Sequence, residues 1–174
     1  VANETAHLVI DVQKTYLLPK NNKEENKEWE PFFLRMKETV IPNIKKLLEL
    51  NRQINIENIF ARIACLKNDG SDRSLSQKKP GFNYLLMPKD TDESQIVNEL
   101  KPLKDDVEIL KTTDSALTGT NLRLILNNMG IKNVICSGIF TDQCVSSTVR
   151  SLADESFNVI VIEDCCAAAT EELH

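Results

Sequence analysis

Histidine is almost missing from this chain of 174 residues, which contains only His7 and His174. Imidazole is the usual base beside a catalytic cysteine and a common ligand of catalytic zinc, so its scarcity removes much chemistry at once. Aromatic residues are also few, at 5%, and a core must be built mainly from Ile, Leu and Val. Positive charge is not in excess. The 21 Lys and Arg stand against 26 Asp and Glu, a formal net charge of −5, which argues against a nucleic-acid partner and its need for a basic face. No apolar run nears the roughly 20 residues of a membrane span, and the N-terminus lacks a signal-peptide pattern. The five cysteines include no CxxC pair and no spacing typical of a secreted disulfide scaffold. They are expected to be mostly free thiols in a reducing, cytoplasmic setting. The first residue is Val, which leaves room for an upstream piece.

With 41% hydrophobic residues, the chain is long enough for one domain with a sizeable core. "AHLVID", "IENIFARIAC", "DVEIL", "KNVICSG" and "FNVIVIED" read as short apolar strands. Between them, "PFFLRMKETVIPNIKKLLELNRQ", "TGTNLRLILNNMG" and "TDQCVSSTVRSLADES" have helical spacing. The second of these carries a Thr cap and ends at Gly130. The charged stretch "PKNNKEENKEWE" reads as a solvated loop or short helix, and "SQIVNEL" as a short helix. Residues 67–93 look mostly irregular, and "TEELH" looks like the first turn of a helix. Strands alternating with helices predict an α/β fold, a three-layer Rossmann-like arrangement with a mostly parallel central sheet and helices on both faces.

In such sheets a ligand sits beyond the carboxyl ends of the strands. Asp11, Lys111, Asp164 and the segment leading to Cys144 all lie at predicted strand ends. Cys144 is either a small residue packed under a helix or a thiol activated by the first turn. If Thr141 caps that helix, the amide dipoles would favour the thiolate. Cys136 reads as core, while Cys65, Cys165 and Cys166 lie near strand ends, where packing and redox roles are equally open. His7 is expected to be remote from the site, so the base would be a carboxylate. Asp11 and Lys111 supply a base and a cation, although the pair could equally be an ordinary ion pair.

"LVIDVQKTY", "LKTTDSALTGTNL" and "GIFTDQCVSSTVRSLADESFNVIVIEDCCAA" resemble the three signature blocks of the isochorismatase-like cysteine hydrolases. The resemblance runs from about Ala6 to the C-terminus and is weakest between residues 18 and 95. It implies a catalytic triad of Asp11, Lys111 and Cys144, and a cis peptide at Ile139–Phe140. It also implies an oxyanion hole from the Phe140 and Cys144 N–H groups. Tyr16, Leu117 and Phe140 are expected to contact substrate. Over residues 1–174 it implies one hydrolase domain lacking its last helix and strand.

Within that family, nicotinamidases bind a metal through an Asp and two His after the second strand. "ARIACLKNDGSDRS" has no His, so no metal and no cofactor is expected. The resemblance then points to amidohydrolases acting on a small amide or carbamoyl compound through a thioester, and to a homo-oligomer. Non-amide isochorismatase-type chemistry and a non-catalytic redox or binding domain are the alternatives. Thr15 replaces an acidic residue frequent in the first block, and Asp114 and Leu117 depart from a "YSAF"-like stretch frequent in the second.

Overall fold

The structure is a computed structural model and describes residues 1–80 and 85–174. Five strands form one parallel sheet: β1 (Thr5–Ile10), β2 (Glu57–Ile63), β3 (Val107–Lys111), β4 (Asn133–Ile139) and β5 (Asn158–Ala167), in the order β3-β2-β1-β4-β5. Every residue of β1 is buried, as a central strand covered on both faces must be. Alternate residues serve opposite layers. Ala6, Leu8 and Ile10, with Ile59 and Ala61, join one apolar cluster; Val9 and Phe60 join the other.

The first cluster is completed by Leu122 and Leu126 of α4 (Leu122–Asn128) and Leu152 of α5 (Ser146–Asp154). The second receives Phe32 of α1 (Lys23–Arg35) and Ile41, Ile44 and Leu48 of α2 (Ile41–Gln53). The three-layer α/β reading therefore holds, with a sheet that is wholly parallel.

The charged stretch before residue 31 is more ordered than expected. Asn22 Oδ1 accepts the Glu25 N–H at 2.8 Å and starts α1 within that stretch, a cap that satisfies one orphan donor. A π turn at Met36–Val40 joins α1 to α2. Pro42 has no N–H to give, and its ring would clash with the Glu38 carbonyl in a regular helix; the wider turn accommodates it.

Four other local expectations change. "SQIVNEL" contains only the 3-10 turn Asn98–Leu100, because Ile96 is held in a bridge with Gln13. Helix α4 starts at Leu122, with Thr120 Oγ1 accepting the Leu122 N–H at 3.2 Å, and Gly130 ends it at φ 67°. Within residues 67–93, Leu75–Lys78 forms a helical turn, α3; residues 81–84 lie outside the described residues. Strand β5 continues to Ala167, so Asp164 lies inside an edge strand and is exposed there. Its carboxylate accepts from Asn43 Nδ2 at 3.2 Å, and it is no part of the site. The end of the chain forms a turn, with the His174 N–H bonded to the Glu171 carbonyl.

Among the described residues no helix is long and apolar enough to cross a membrane. The five cysteines are free and buried. Cys65 exchanges backbone bonds with Met87 and Lys89, and Cys166 pairs with Gly138 across β4 and β5.

Candidate active site

The chain runs from β1 outward to β3, then returns to place β4 on the other side of β1. The carboxyl ends of β1 and β4 flank this reversal, where an open α/β sheet leaves a crevice. Asp11 follows β1 directly with φ 54°, a left-handed conformation that Asp tolerates better than most residues. Its N–H bonds to the Ala61 carbonyl at 2.8 Å and its carbonyl accepts the Gln13 N–H at 2.8 Å.

Gln13, not anticipated as part of the framework, latches this bend. Its amide donates to the carbonyls of Ile63 (2.9 Å) and Ser94 (2.8 Å), and its oxygen accepts the Ile63 N–H. Gly138 lets β4 approach closely: its φ is 118°, and a Cβ there would stand 2.0 Å from the Ile10 carbonyl oxygen.

Lys111 ends β3, two strands from β1, and its side chain is fully buried. The ammonium donates to Asp11 Oδ2 at 2.8 Å and to the Thr113 carbonyl at 3.0 Å. Asp11 Oδ1 is also buried and has no partner in hydrogen-bond geometry among the described residues. The Cys144 thiol interacts with both Asp11 and Lys111.

Cys144 lies in a π turn, Thr141–Val145, that opens α5. The Phe140 carbonyl accepts from Gln143 and Val145, and the peptide between Ile139 and Phe140 is cis. Thr141 does not cap this turn; its hydroxyl bonds His174 Nδ1 at 2.8 Å.

Burial is the main force on all three ionisable groups. It raises the Asp11 carboxyl from its ordinary value, against the pull of the Lys111 ammonium. It opposes the charge on Lys111, yet Asp11 and Cys144 outweigh it and hold that group raised. Burial and the Asp11 charge push the Cys144 thiol well above its usual value, with Lys111 opposing. Burial thus acts on the sulfur in the direction opposite to the one expected from its first-turn position.

Tyr16 and Phe140 meet edge-to-face with ring centroids 5.4 Å apart. Burial, followed by the charges of Asp11, Cys144 and Asp114, pushes the Tyr16 hydroxyl well above its usual value, which puts it on the same crevice. Leu117 is 4% exposed and packs in the cluster that contains Cys144, so it backs the site. Asp114 comes unexpectedly near, with Oδ1 4.0 Å from the Cys144 sulfur.

His7 is uninvolved. It sits in β1, bonded to Ser137 Oγ at 2.7 Å and to Asn51 Nδ2 at 3.1 Å, and burial lowers its pKa to about 3. The segment after β2 does not fit a metal either. Asp72 spends its oxygens on the Leu66 and Lys67 N–H groups, and no cluster of three or more His, Cys, Asp or Glu is arranged for an ion among the described residues.

Residues 5–174 match the model of the isochorismatase domain. The chain belongs to the isochorismatase family of hydrolases. A plant relative in this family, named a probable inactive nicotinamidase of Arabidopsis thaliana, is 31% identical over 98% of this chain and 84% of its own length. The ureidoacrylate amidohydrolase RutB of Agrobacterium fabrum is 27% identical over 93% of this chain and 75% of its own. Among solved structures, an isochorismatase-like hydrolase from Alkaliphilus metalliredigens superposes with TM-score 0.73 at 26% identity, covering 98% of this chain and 85% of that one. The N-carbamoylsarcosine amidase of Thermoplasma acidophilum shares the fold, with TM-score 0.74, 22% identity and coverage of 95% and 84%.

Proposed function

We propose that this isochorismatase-family protein is a cysteine-dependent amidohydrolase that cleaves a small amide or carbamoyl compound through a thioester, without a metal. The observation that carries the reading is the buried Asp11–Lys111 pair beside Cys144, at the crevice where the sheet reverses. Burial opposes a free thiolate at Cys144, and Asp11 removes the thiol proton as the sulfur attacks the carbonyl carbon. A carboxyl already raised by burial is a stronger base than one in water, which suits that transfer.

Lys111 remains charged and holds Asp11 in place while supporting the sulfur as it loses its proton. Negative charge developing on the carbonyl oxygen is received by the Phe140 and Cys144 N–H groups. Asp11 returns the proton to the departing nitrogen, releasing ammonia from a primary amide. A water deprotonated by Asp11 then attacks the thioester, releases the acid and restores the thiol. Tyr16 and Phe140 form aromatic walls, with Leu117 behind them. RutB, named for its action on ureidoacrylate, supports the amide assignment.

The relative named a probable inactive nicotinamidase favours one alternative, a domain that keeps this fold without turnover. A panel of small primary amides and ureides, scored by released ammonia, separates the two. Turnover by wild type and none by Cys144→Ala supports the amidohydrolase. No ammonia from any member, with Cys144 still open to alkylation, supports the non-catalytic domain.

A further inference from the structure

Asp114 stands beside the nucleophile, and no step of the proposed reaction uses it. Its Oδ1 lies 4.0 Å from the Cys144 sulfur. The loop that carries it is tied down on both sides. Lys111 donates to the Thr113 carbonyl, and the Thr113 hydroxyl bonds back to Ser115 and Thr118. Ser115 Oγ bonds Ser151 Oγ at 2.9 Å, and the Ala116 N–H donates to Thr148 Oγ1 at 3.0 Å, both on α5. The backbone that carries Asp114 is therefore anchored to the helix that follows Cys144.

Nor is its charge neutralised by the protein. Among the described residues Asp114 enters no ion pair, and the nearby ammonium of Lys111 is committed to Asp11 and the Thr113 carbonyl. Asp11 and Lys111 compensate each other within their ion pair, whereas Asp114 has no such partner among the described residues.

A carbonyl carbon poised for attack lies about 3–3.5 Å from the sulfur. A nitrogen bonded to that carbon, about 1.3 Å away, comes within hydrogen-bond reach of Asp114 when the carbonyl is attacked from the sulfur with that nitrogen turned to the Asp114 side. We infer that Asp114 is a specificity-determining residue, selecting substrates with a cationic or N–H-donating nitrogen beside the scissile carbonyl and rejecting those with a carboxylate there. The inference rests on the amidohydrolase reading of the site.

Charge selection can be measured without turnover. Cys144 in the full chain is modified with two methanethiosulfonates, one bearing a trimethylammonium group and one a sulfonate, and the rate ratio is compared with that of free mercaptoethanol. The wild-type ratio should exceed the free-thiol ratio and fall about tenfold in Asp114→Asn, as expected for one unit charge a few ångströms away in a partly screened site. Asp114→Glu should keep most of it, and high salt should reduce it. A wild-type ratio equal to that of the free thiol, or one unchanged in Asp114→Asn with native circular dichroism, overturns the inference.

Paired amides provide the second arm. Glycinamide and malonamate, which carry an ammonium and a carboxylate on the same carbon beside the amide carbonyl, should differ in kcat/KM in the same sense, with the difference narrowing in Asp114→Asn. A selective thiol in a protein that releases no ammonia sinks the amidohydrolase reading and leaves the charge selection standing. Ammonia release with no charge selection does the reverse.

Discussion

Replacing Lys111 by Met removes the only cation paired with Asp11 among the described residues while keeping an unbranched chain in the same space. The side chains of the pair are 0% and 2% exposed, and the ammonium sits 2.8 Å from the carboxylate. Losing one partner of a buried pair typically costs about 3–5 kcal/mol, because the other charge is left without compensation. Asp11 can limit that cost by taking a proton. From an unfolded pKa near 3.9, holding a carboxyl protonated at pH 7 costs about 4 kcal/mol, or about 1.4 kcal/mol for each pH unit. A group whose folded pKa is raised contributes stability that is lost as pH rises. The variant's deficit relative to wild type should therefore grow with pH, from the point where wild-type Asp11 has ionised up to the variant's own Asp11 pKa. Urea titrations of wild type, Lys111→Met, Asp11→Asn and the double variant between pH 5 and 8 would measure it. The double variant should lack the pH slope and recover at least about 2 kcal/mol relative to additivity. A deficit that stays flat with pH, or single costs that simply add, would refute the buried ion pair as the organising contact of the site.

The remaining expectations can be checked separately. Cys144→Ser should abolish amide turnover with an unchanged melt, and iodoacetamide should reach Cys144 first; its 6% exposure compares with 2% or less for the other four cysteines. Peptide mapping that finds another cysteine labelled ahead of an inert Cys144 would remove the nucleophile. Alkylation of Cys144 should shift to higher pH in Lys111→Met, and superimposable profiles would mean that Lys111 does not act on the sulfur. EDTA should leave turnover intact, since the segment after β2 offers no ligand set; loss restored by zinc or iron would contradict this. His7, held neutral with a pKa of about 3 against about 6.5 unfolded, contributes stability that is complete above pH 6.5 and declines toward pH 3. The slope is about 1.4 kcal/mol per unit, and His7→Gln should flatten that part of the pH–stability curve; an unchanged slope would show His7 titrating normally.

The strand pattern and the residues at strand ends were legible because a buried parallel strand is a short apolar run and its end is marked by a polar residue. Asp11, Lys111 and the approach to Cys144 were placed at one sheet edge this way, and the resemblance implied their roles. Asp164 misled for the same reason, since nothing local reveals that β5 continues past its charged pair to Ala167 as an edge strand. Thr141 looked like a cap, but tertiary contact with His174 claimed its hydroxyl. The burial of Cys144, which opposes a thiolate, lay beyond sequence because local helix position does not report it. Gln13 gave no sign beyond its nearness to Asp11, whereas Asp114 was visible as an odd residue without a stated consequence.

The partners of the buried pair lie 100 positions apart in the chain, on strands separated by β2, and Cys144 arrives only with β4, on the other side of β1. No hairpin or single helix–strand unit contains two of the three. Proteins commonly open region by region, with some units unfolding well below the global free energy. The proposed site spans such units, so a partial opening that frees either β3 or the start of α5 would dismantle it while leaving most of the sheet paired. Activity would then report the least stable docking among these elements, and gentle denaturant should silence the protein before its circular dichroism changes.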